Sequence, residues 1–183
     1  MEAEHGPDIT RQLAERYRQA SAQERRQAFR ELYERHAGEL HGYLRRMTRS
    51  VDLADDLTQE AFLRALTKMD TFTGNSSFKT WVYRIAMNLY RDHLRRKTTV
   101  QACLDDAASE QPTPEDAAER SDEARRVRAA LDGLPESLRA PVVLVRLEGM
   151  KYREAARVLG VSQAALRMRI YRGQMALLEA LKE

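Results

Sequence analysis

The side chains with the clearest chemical capacity lie near the C-terminus. Arg167, Met168, Tyr171 and Arg172 fall at helical spacing on one side of a segment whose other side carries Leu166 and Ile170. A guanidinium can bond a guanine edge bidentately or pair with a phosphate, and Met or Tyr can touch a thymine methyl. Gln163, one turn earlier, can reach the same groove, and Arg169 adds charge. No acid occurs between Ser162 and Leu178. Such a set suits contact with duplex DNA and offers no group for bond breaking.

These side chains need a rigid helix to present them, and the flanking residues supply one. Tyr152 to Leu159 sets Ala155, Ala156 and Leu159 on one helical face. Gly160 can take the positive φ that ends a helix. Ser162 can cap the next helix by accepting an otherwise unpaired backbone N–H. The two small alanines let the second helix cross closely. This is the pattern of a helix-turn-helix, whose second helix enters the major groove. A plain helical hairpin with a solvated basic face gives no reason for glycine, cap and alanines to fall in register. Within this helix, Arg167 lies near the N-terminal end, which enters deepest, and is assigned a base edge. Arg172 is assigned phosphate.

A second group sits mid-chain. Phe78 to Lys97 reads as a helix with Phe78, Val82, Ile85 and Leu89 as its core stripe. Trp81, Arg84, Asn88, Arg91 and Arg95 form another stripe, given 3.6 residues per turn. An aromatic to stack a base, cations for phosphates and an amide for a base edge suit single-stranded nucleic acid. Trp81 fits the core equally well, and both readings stay open. The preceding Phe72 to Ser77 is a loop by its Gly, Asn and Ser content.

A third helix, Asp52 to Met69, can turn Leu53, Ala54, Leu57, Ala61, Ala65 and Met69 inward. Asp56, Gln59, Glu60, Leu63 and Arg64 lie on its other side. That face is either solvated or a docking surface with Leu63 as its apolar contact.

The remaining elements are helical or punctuating. Ala28 to Met47 carries a stripe of Phe29, Leu32, Tyr33, His36, Leu40, Tyr43 and Leu44, with an interruption expected near Gly38. His36 and His41 do not share a face and are read as packing or surface residues. Ser121 to Leu134 and Leu138 to Glu148 read as helices, with Pro141 tolerable only in a first turn. Thr98 to Arg120 has no sustained period; its acids Asp105, Asp106, Glu110, Glu115, Asp116 and Glu119, with Pro112 and Pro114, mark a linker. Residues Met1 to Gln23 form either a loose polar extension or a short helix laid on the first domain. The expected architecture is all-α: a polar extension over 1–23, a helical domain over 24–97, a flexible acidic linker over 98–123, and a helix-turn-helix domain over 124–183.

Composition narrows the function classes. The 183 residues are 43% hydrophobic and 32% charged, with a formal charge of +3. One cysteine, Cys103, cannot form an internal disulfide or a structural zinc site, which points to a reducing compartment. No apolar run approaches the roughly 20 residues of a membrane span, and the polar N-terminus is not a secretory signal. A cytoplasmic protein without membrane insertion is expected. There is no Gly-rich phosphate loop, no paired His and Cys and no metal-ligand spacing, so no enzyme, cofactor or metal site is expected.

Three stretches in this order, DLTQEAFLRAL, SSFKTWVYRIAMNLYRDHLRR and LPESLRAPVVLVRLEGMKYREAARVLGVSQAALRMRIYRGQMAL, resemble the extracytoplasmic-function (ECF) group of the bacterial sigma-70 family. The resemblance spans about Ala28 to the C-terminus. It implies a sigma region 2 bundle and a region 4 helix-turn-helix. It implies that Asp56, Gln59, Glu60, Leu63 and Arg64 grip the clamp coiled coil of the largest subunit of core RNA polymerase, with the flap of the second-largest subunit as a further partner. Ser76, Ser77, Lys79, Trp81, Arg84, Asn88 and Arg91 would read the melted -10 strand, where a flipped base is held in a pocket. Ser162, Gln163, Arg167, Met168, Tyr171 and Arg172 would read the -35 duplex. An anti-sigma factor is a possible further partner.

The chain departs from the family pattern at the recognition helix. Ala164 to Arg169 replace the usual Gly-Thr-Val-Lys-Ser-Arg, so Met168 stands for a small hydroxyl residue. Gly173 and Gln174 replace the usual Ala-Arg. The competing function is a helix-turn-helix regulator that does not bind polymerase as a sigma subunit. That reading leaves the Asp56–Arg64 face unexplained.

Overall fold

The computed structural model describes residue 12, residues 15–101 and residues 122–182. Among these residues every regular element is a helix, as expected. The first half is built on α1 (Ala22–Thr48), α2 (Val51–Thr67) and α3 (Phe78–Gln101). The second half holds α4 (Asp122–Gly133), α5 (Glu136–Val142), α6 (Tyr152–Leu159) and α7 (Gln163–Ala180).

Local signals explain where the helices begin and end. A capping box starts α1: the Glu24 carboxylate accepts from Ser21 N–H at 2.8 Å while Ser21 Oγ takes the Glu24 N–H. Arg49, at φ 60°, closes α1 in the left-handed region. Ser50 then caps α2 by accepting from Leu53 N–H at 3.2 Å. Glycine 38 does not interrupt α1. A glycine costs about 1 kcal/mol against alanine in a helix, but buried Leu32 and His36 before it and Leu40, Tyr43 and Leu44 after it hold both flanking turns.

The first core is centred on Phe78. Its ring lies 6.0 Å from Phe72, 5.6 Å from His36 and 6.5 Å from Phe62, centroid to centroid. Ala54, Ala61 and Ala65 on α2 are buried, and their small side chains let α2 lie close to its neighbours. His36 is thus a packing residue, and His41 pairs with Asp55 at 2.9 Å on the surface. Residues 15–19 are helical, and Tyr17 is buried in the same core beneath the Arg25 guanidinium, 5.5 Å from the ring centroid. Of the two arrangements open for the N-terminal segment, the described part is a helix laid on this domain.

Two boundaries differ from the sequence reading. Helix α3 runs to Gln101, four residues into the segment read as linker; Cys103 and the acids from Asp105 to Glu119 lie outside the described residues. Helix α5 starts at Glu136 after Pro135, so Pro141 lies inside it and not in its first turn. Proline has no N–H to give to the preceding turn. The chain widens directly after it into a π-helical turn over Val143–Leu147, where Glu148 N–H bonds Val143 C=O at 3.0 Å.

The halves meet with α6 against α3. Arg139 of α5 is buried and donates to Met47 C=O at 3.0 Å, with Asp132 3.6 Å away. Burying an arginine is costly unless it is paired and bonded, so these partners fix where α5 sits.

Candidate nucleic-acid interface

The C-terminal surface follows from how α7 is seated. Gly160 closes α6 at φ 68°, and Ser162 Oγ accepts from Ala165 N–H at 3.1 Å to open α7. Leu166 and Ile170 are buried together with Ala155, Ala156 and Leu159. Arg167, Met168, Tyr171 and Arg172 are all exposed on the opposite side, with Tyr171 at 61% and Met168 at 52%. Ser162 and Gln163 are exposed at the N-terminal end of the same surface. All six residues named from the sequence therefore share one accessible surface.

Gly173 has a structural reason that its sequence context did not show. A Cβ there would stand 2.8 Å from Val142 Cγ2 and 3.2 Å from Leu138 C=O. Only a residue without a side chain lets α5 approach α7 this closely. Beside it the Arg146 guanidinium donates to the Gln174 side chain, so the turn lacking the family's usual arginine has a cation from another element.

On α2, Asp56, Gln59, Leu63 and Arg64 are exposed and Glu60 is half-buried. Glu60 and Arg64 pair at 2.7 Å across one helical turn. Leu63 is 59% exposed, Leu66 is 40% and Tyr33 is 43%. Leu66 and Tyr33 enlarge the apolar part beyond the single leucine recognised from sequence.

Helix α3 divides the residues assigned to its surface. Arg84 and Asn88 are exposed on one side. Trp81 is half-buried, its ring 5.0 Å from Phe72 and 5.8 Å from Phe78, so it edges the core while keeping part of its surface open. Ser77 caps α3: its Oγ accepts from Thr80 N–H at 3.2 Å. Ser76 is half-buried in the loop. Lys79 lies nearly half a turn from Asn88 by helical phase and pairs with Glu39 at 2.8 Å. Arg91 faces the second half, donating to Leu159 C=O at 3.1 Å and lying 3.4 Å from Glu136.

Sequence reasoning missed Tyr83, Arg46 and Glu148. Glu148 accepts from Arg46 at 2.9 Å and from Tyr83 O–H at 3.0 Å, and Lys79 reaches its backbone carbonyl at 3.5 Å. Burial pushes the Glu148 carboxyl above its ordinary range, while the Tyr83 hydrogen bond, Arg46 and Lys79 pull it back and Glu39 pushes it further up. Burial likewise raises the Tyr83 hydroxyl. No local periodicity marks this cluster, because Arg46 and Glu148 are 102 positions apart. Among the described residues there is no group of metal-ligating side chains and no helix long and apolar enough to cross a membrane.

Comparison with known proteins matches the two halves to two families. The Sigma-70 region 2 family matches residues 32–100, and the Sigma-70 region 4 family matches residues 124–177. The chain is 35% identical over 159 residues to RNA polymerase sigma factor CarQ of Myxococcus xanthus, covering 85% of this chain and 90% of that one. The chain belongs to the ECF group of the sigma-70 family. It is 31% identical to the RNA polymerase sigma-H factor of Pseudomonas aeruginosa, covering 93% of both chains. It is 34% identical to ECF RNA polymerase sigma factor SigE of Mycolicibacterium smegmatis, of which it spans 59%. Among solved structures, CnrH in complex with the cytosolic domain of CnrY superposes with a TM-score of 0.73 at 29% identity, covering 96% of this chain and 98% of that one. The sigma factor RpoE of Bartonella quintana, solved with the anti-sigma factor NepR, shares the fold at a TM-score of 0.72 and 23% identity, over 84% of this chain and 96% of that one. The protein is an alternative sigma factor acting in transcription initiation. The match over both halves disfavours a regulator built on the helix-turn-helix alone.

Proposed function

We propose that this sigma factor docks on the clamp coiled coil of the polymerase largest subunit through Asp56, Gln59, Glu60, Leu63 and Arg64, with the flap of the second-largest subunit as a further partner. The loop with Ser76 and Ser77, together with Lys79, Trp81, Arg84, Asn88 and Arg91, engages the melted -10 strand. Ser162, Gln163, Arg167, Met168, Tyr171 and Arg172 engage the -35 duplex. The protein works as a cytoplasmic binding subunit and not as an enzyme, and an anti-sigma factor is a further partner of it.

The observation that carries this reading is the placement of the exposed faces on three different helices, α2, α3 and α7. Leu166 and Ile170 back the α7 face and Phe78 backs the α2 and α3 faces, as parts of one hydrophobic core. One chain can therefore hold polymerase and two promoter elements at once. Arginine and methionine on α7 suit duplex edges, while a partly open tryptophan beside Arg84 and Asn88 suits unstacked bases.

Run-off transcription with core polymerase on a fragmented genomic library tests it. The expected result is a set of transcripts that require this chain and share two spaced upstream elements. A pull-down with core polymerase and no DNA gives the complementary outcome: failure to bind would remove the polymerase part of the reading.

A further inference from the structure

Methionine is divided sharply between core and surface in this chain. Of its seven methionines, all but Met1 lie among the described residues. Met47, Met69, Met87 and Met150 are at most 5% exposed, and the Met87 sulfur also accepts from the Tyr43 O–H at 2.9 Å. Met168 and Met175 are 52% and 49% exposed. Both lie on α7, and their spacing of about two helical turns puts them on one stripe about 10 Å apart. The solvent-open thioethers are thus on the helix whose exposed side is assigned to DNA. Met168 stands within that assigned set, between Arg167 and Arg169, whereas Met175 stands outside it.

We propose that Met168 is an oxidant-sensitive modification site in the -35-reading face: a hydroperoxide converts its thioether to the sulfoxide and so changes which duplex α7 binds, while the fold is untouched. The proposal rests on the -35 reading of α7 given above.

The chemistry needs only the side chain and the oxidant. The sulfur lone pair attacks the outer oxygen of hydrogen peroxide. An S–O bond forms, the O–O bond breaks, and the departing hydroxide takes a proton to leave as water. Sulfur is oxidised by two electrons and the peroxide is reduced. The product is polar and chiral, and reductases reverse it, one for each sulfoxide epimer. At a groove the change is one of kind. A thioether suits the thymine methyl, whereas a sulfoxide oxygen accepts hydrogen bonds and suits the amino group of cytosine or adenine. The four buried methionines are shielded from the same reagent, so a dose that modifies α7 spares both ends of the chain's packing.

The test treats the full chain with graded hydrogen peroxide. Peptide mass spectrometry reads the sulfoxide at each methionine, and binding selections on a randomised duplex pool read the consequence. Sulfoxide should form at Met168 and Met175 well before the buried four, with thermal unfolding unchanged. Affinity for the duplex selected by the untreated chain should fall about tenfold, and the logo should change at one position. The two reductases together should restore both. Met175→Leu should keep this response. Met168→Leu, with similar bulk and no sulfur, should lose it when assayed on its own selected duplex. Equal oxidation of the buried methionines, or an oxidised parent with unchanged logo and affinity, would overturn the site. A response that persists in Met168→Leu would also overturn it, placing the effect at Met175 or the Cys103 thiol. Untreated Arg167→Ala separates the underlying reading. If its logo matches the parent's, the -35 assignment of α7 fails and the site with it. If its logo relaxes while peroxide changes nothing, the modification site alone fails.

Discussion

Helices α3 and α7 both carry arginines beside aromatic or sulfur-bearing side chains, yet they display them in opposite ways. Helix α7 buries Leu166 and Ile170 on one side and exposes Arg167, Met168, Tyr171 and Arg172 on the other. Helix α3 is covered on two sides. Phe78 and Val82 enter the region 2 core, Tyr83 bonds Glu148 of region 4, and Arg84, Asn88 and Arg95 of its second stripe are exposed. On the proposed assignment, the duplex-reading face is complete on α7 alone. On the same assignment, the strand-reading face lies partly against region 4, through Arg91 and Lys79.

The largest expected effect tests whether the two faces rest on independent cores. Truncating the hub, Phe78→Ala, should cost region 2 about 3–5 kcal/mol. Urea unfolding followed by Trp81 fluorescence reports it, because that ring lies 5.8 Å from Phe78 and is the chain's only tryptophan. Duplex binding through α7 should survive, since Phe78 is not among the buried residues under α7. A loss below about 1 kcal/mol, or a parallel loss of duplex binding, would mean that the cores are coupled.

The next effect concerns the surface that belongs to neither DNA face. Reversing the half-buried Glu60 to Lys breaks its pair with Arg64 and sets two cations together. Within the helix that costs only a few tenths of a kcal/mol. In a buried interface with polymerase, an unpaired charge costs about 2–5 kcal/mol. Core-polymerase affinity measured by competition should therefore fall far more than the melting temperature does. Equal, small changes in both would leave this face solvated.

These outcomes bear on what the sequence could reveal. The α7 face was legible because every determinant is local: Gly160, the Ser162 cap and the Leu166–Ile170 spacing lie within eleven positions. The core stripe of α3 was legible for the same reason. The second covered side of α3 was not, because Glu148, Leu159 and Glu136 come from more than forty positions away. Grouping Lys79 with Asn88 followed the family motif, whereas helical phase sets them apart. Gly38 and Pro141 were read by intrinsic preference alone. Packing on both flanks overrode the first, and a π-helical turn absorbed the second.

The recognition helix offers a smaller but sharper test. Arg167 lies near the start of α7, the end that enters a groove deepest, and Arg172 lies five positions on, pointing elsewhere. Arg167→Ala should relax preference at one or two base positions, with a discrimination loss of about 1–3 kcal/mol. Arg172→Ala should weaken all sequences alike and make the salt slope shallower by about one. Met168→Ser restores the hydroxyl usual in the family and should shift the preferred sequence. Binding selections with the full chain on a randomised duplex pool decide it, and an altered logo for Arg172→Ala would reverse the two roles.

The smallest effect returns to the contact between the halves. In the closed form, burial raises the Glu148 carboxyl above its ordinary value of 4.5, against the opposing pull of Tyr83, Arg46 and Lys79 and with a further push from Glu39. In the open form the group is solvated and ordinary. The closed form therefore binds the proton more tightly, so protonation favours closure. This contribution is fully present below the ordinary value and is lost as pH rises through the raised one. Acidification across that window should shrink the radius of gyration of the free chain, and neutral pH should leave the contact between the halves easier to open. Other carboxylates titrate in the same range, so the decisive comparison is with Glu148→Gln, whose neutral side chain keeps the shape of the contact. That variant should stay closed at neutral pH and lose the Glu148 part of the dependence. If parent and variant follow the same curve, the carboxylate does not couple protons to closure, and the contact is held by Arg157, Arg91, Arg49 and Arg139.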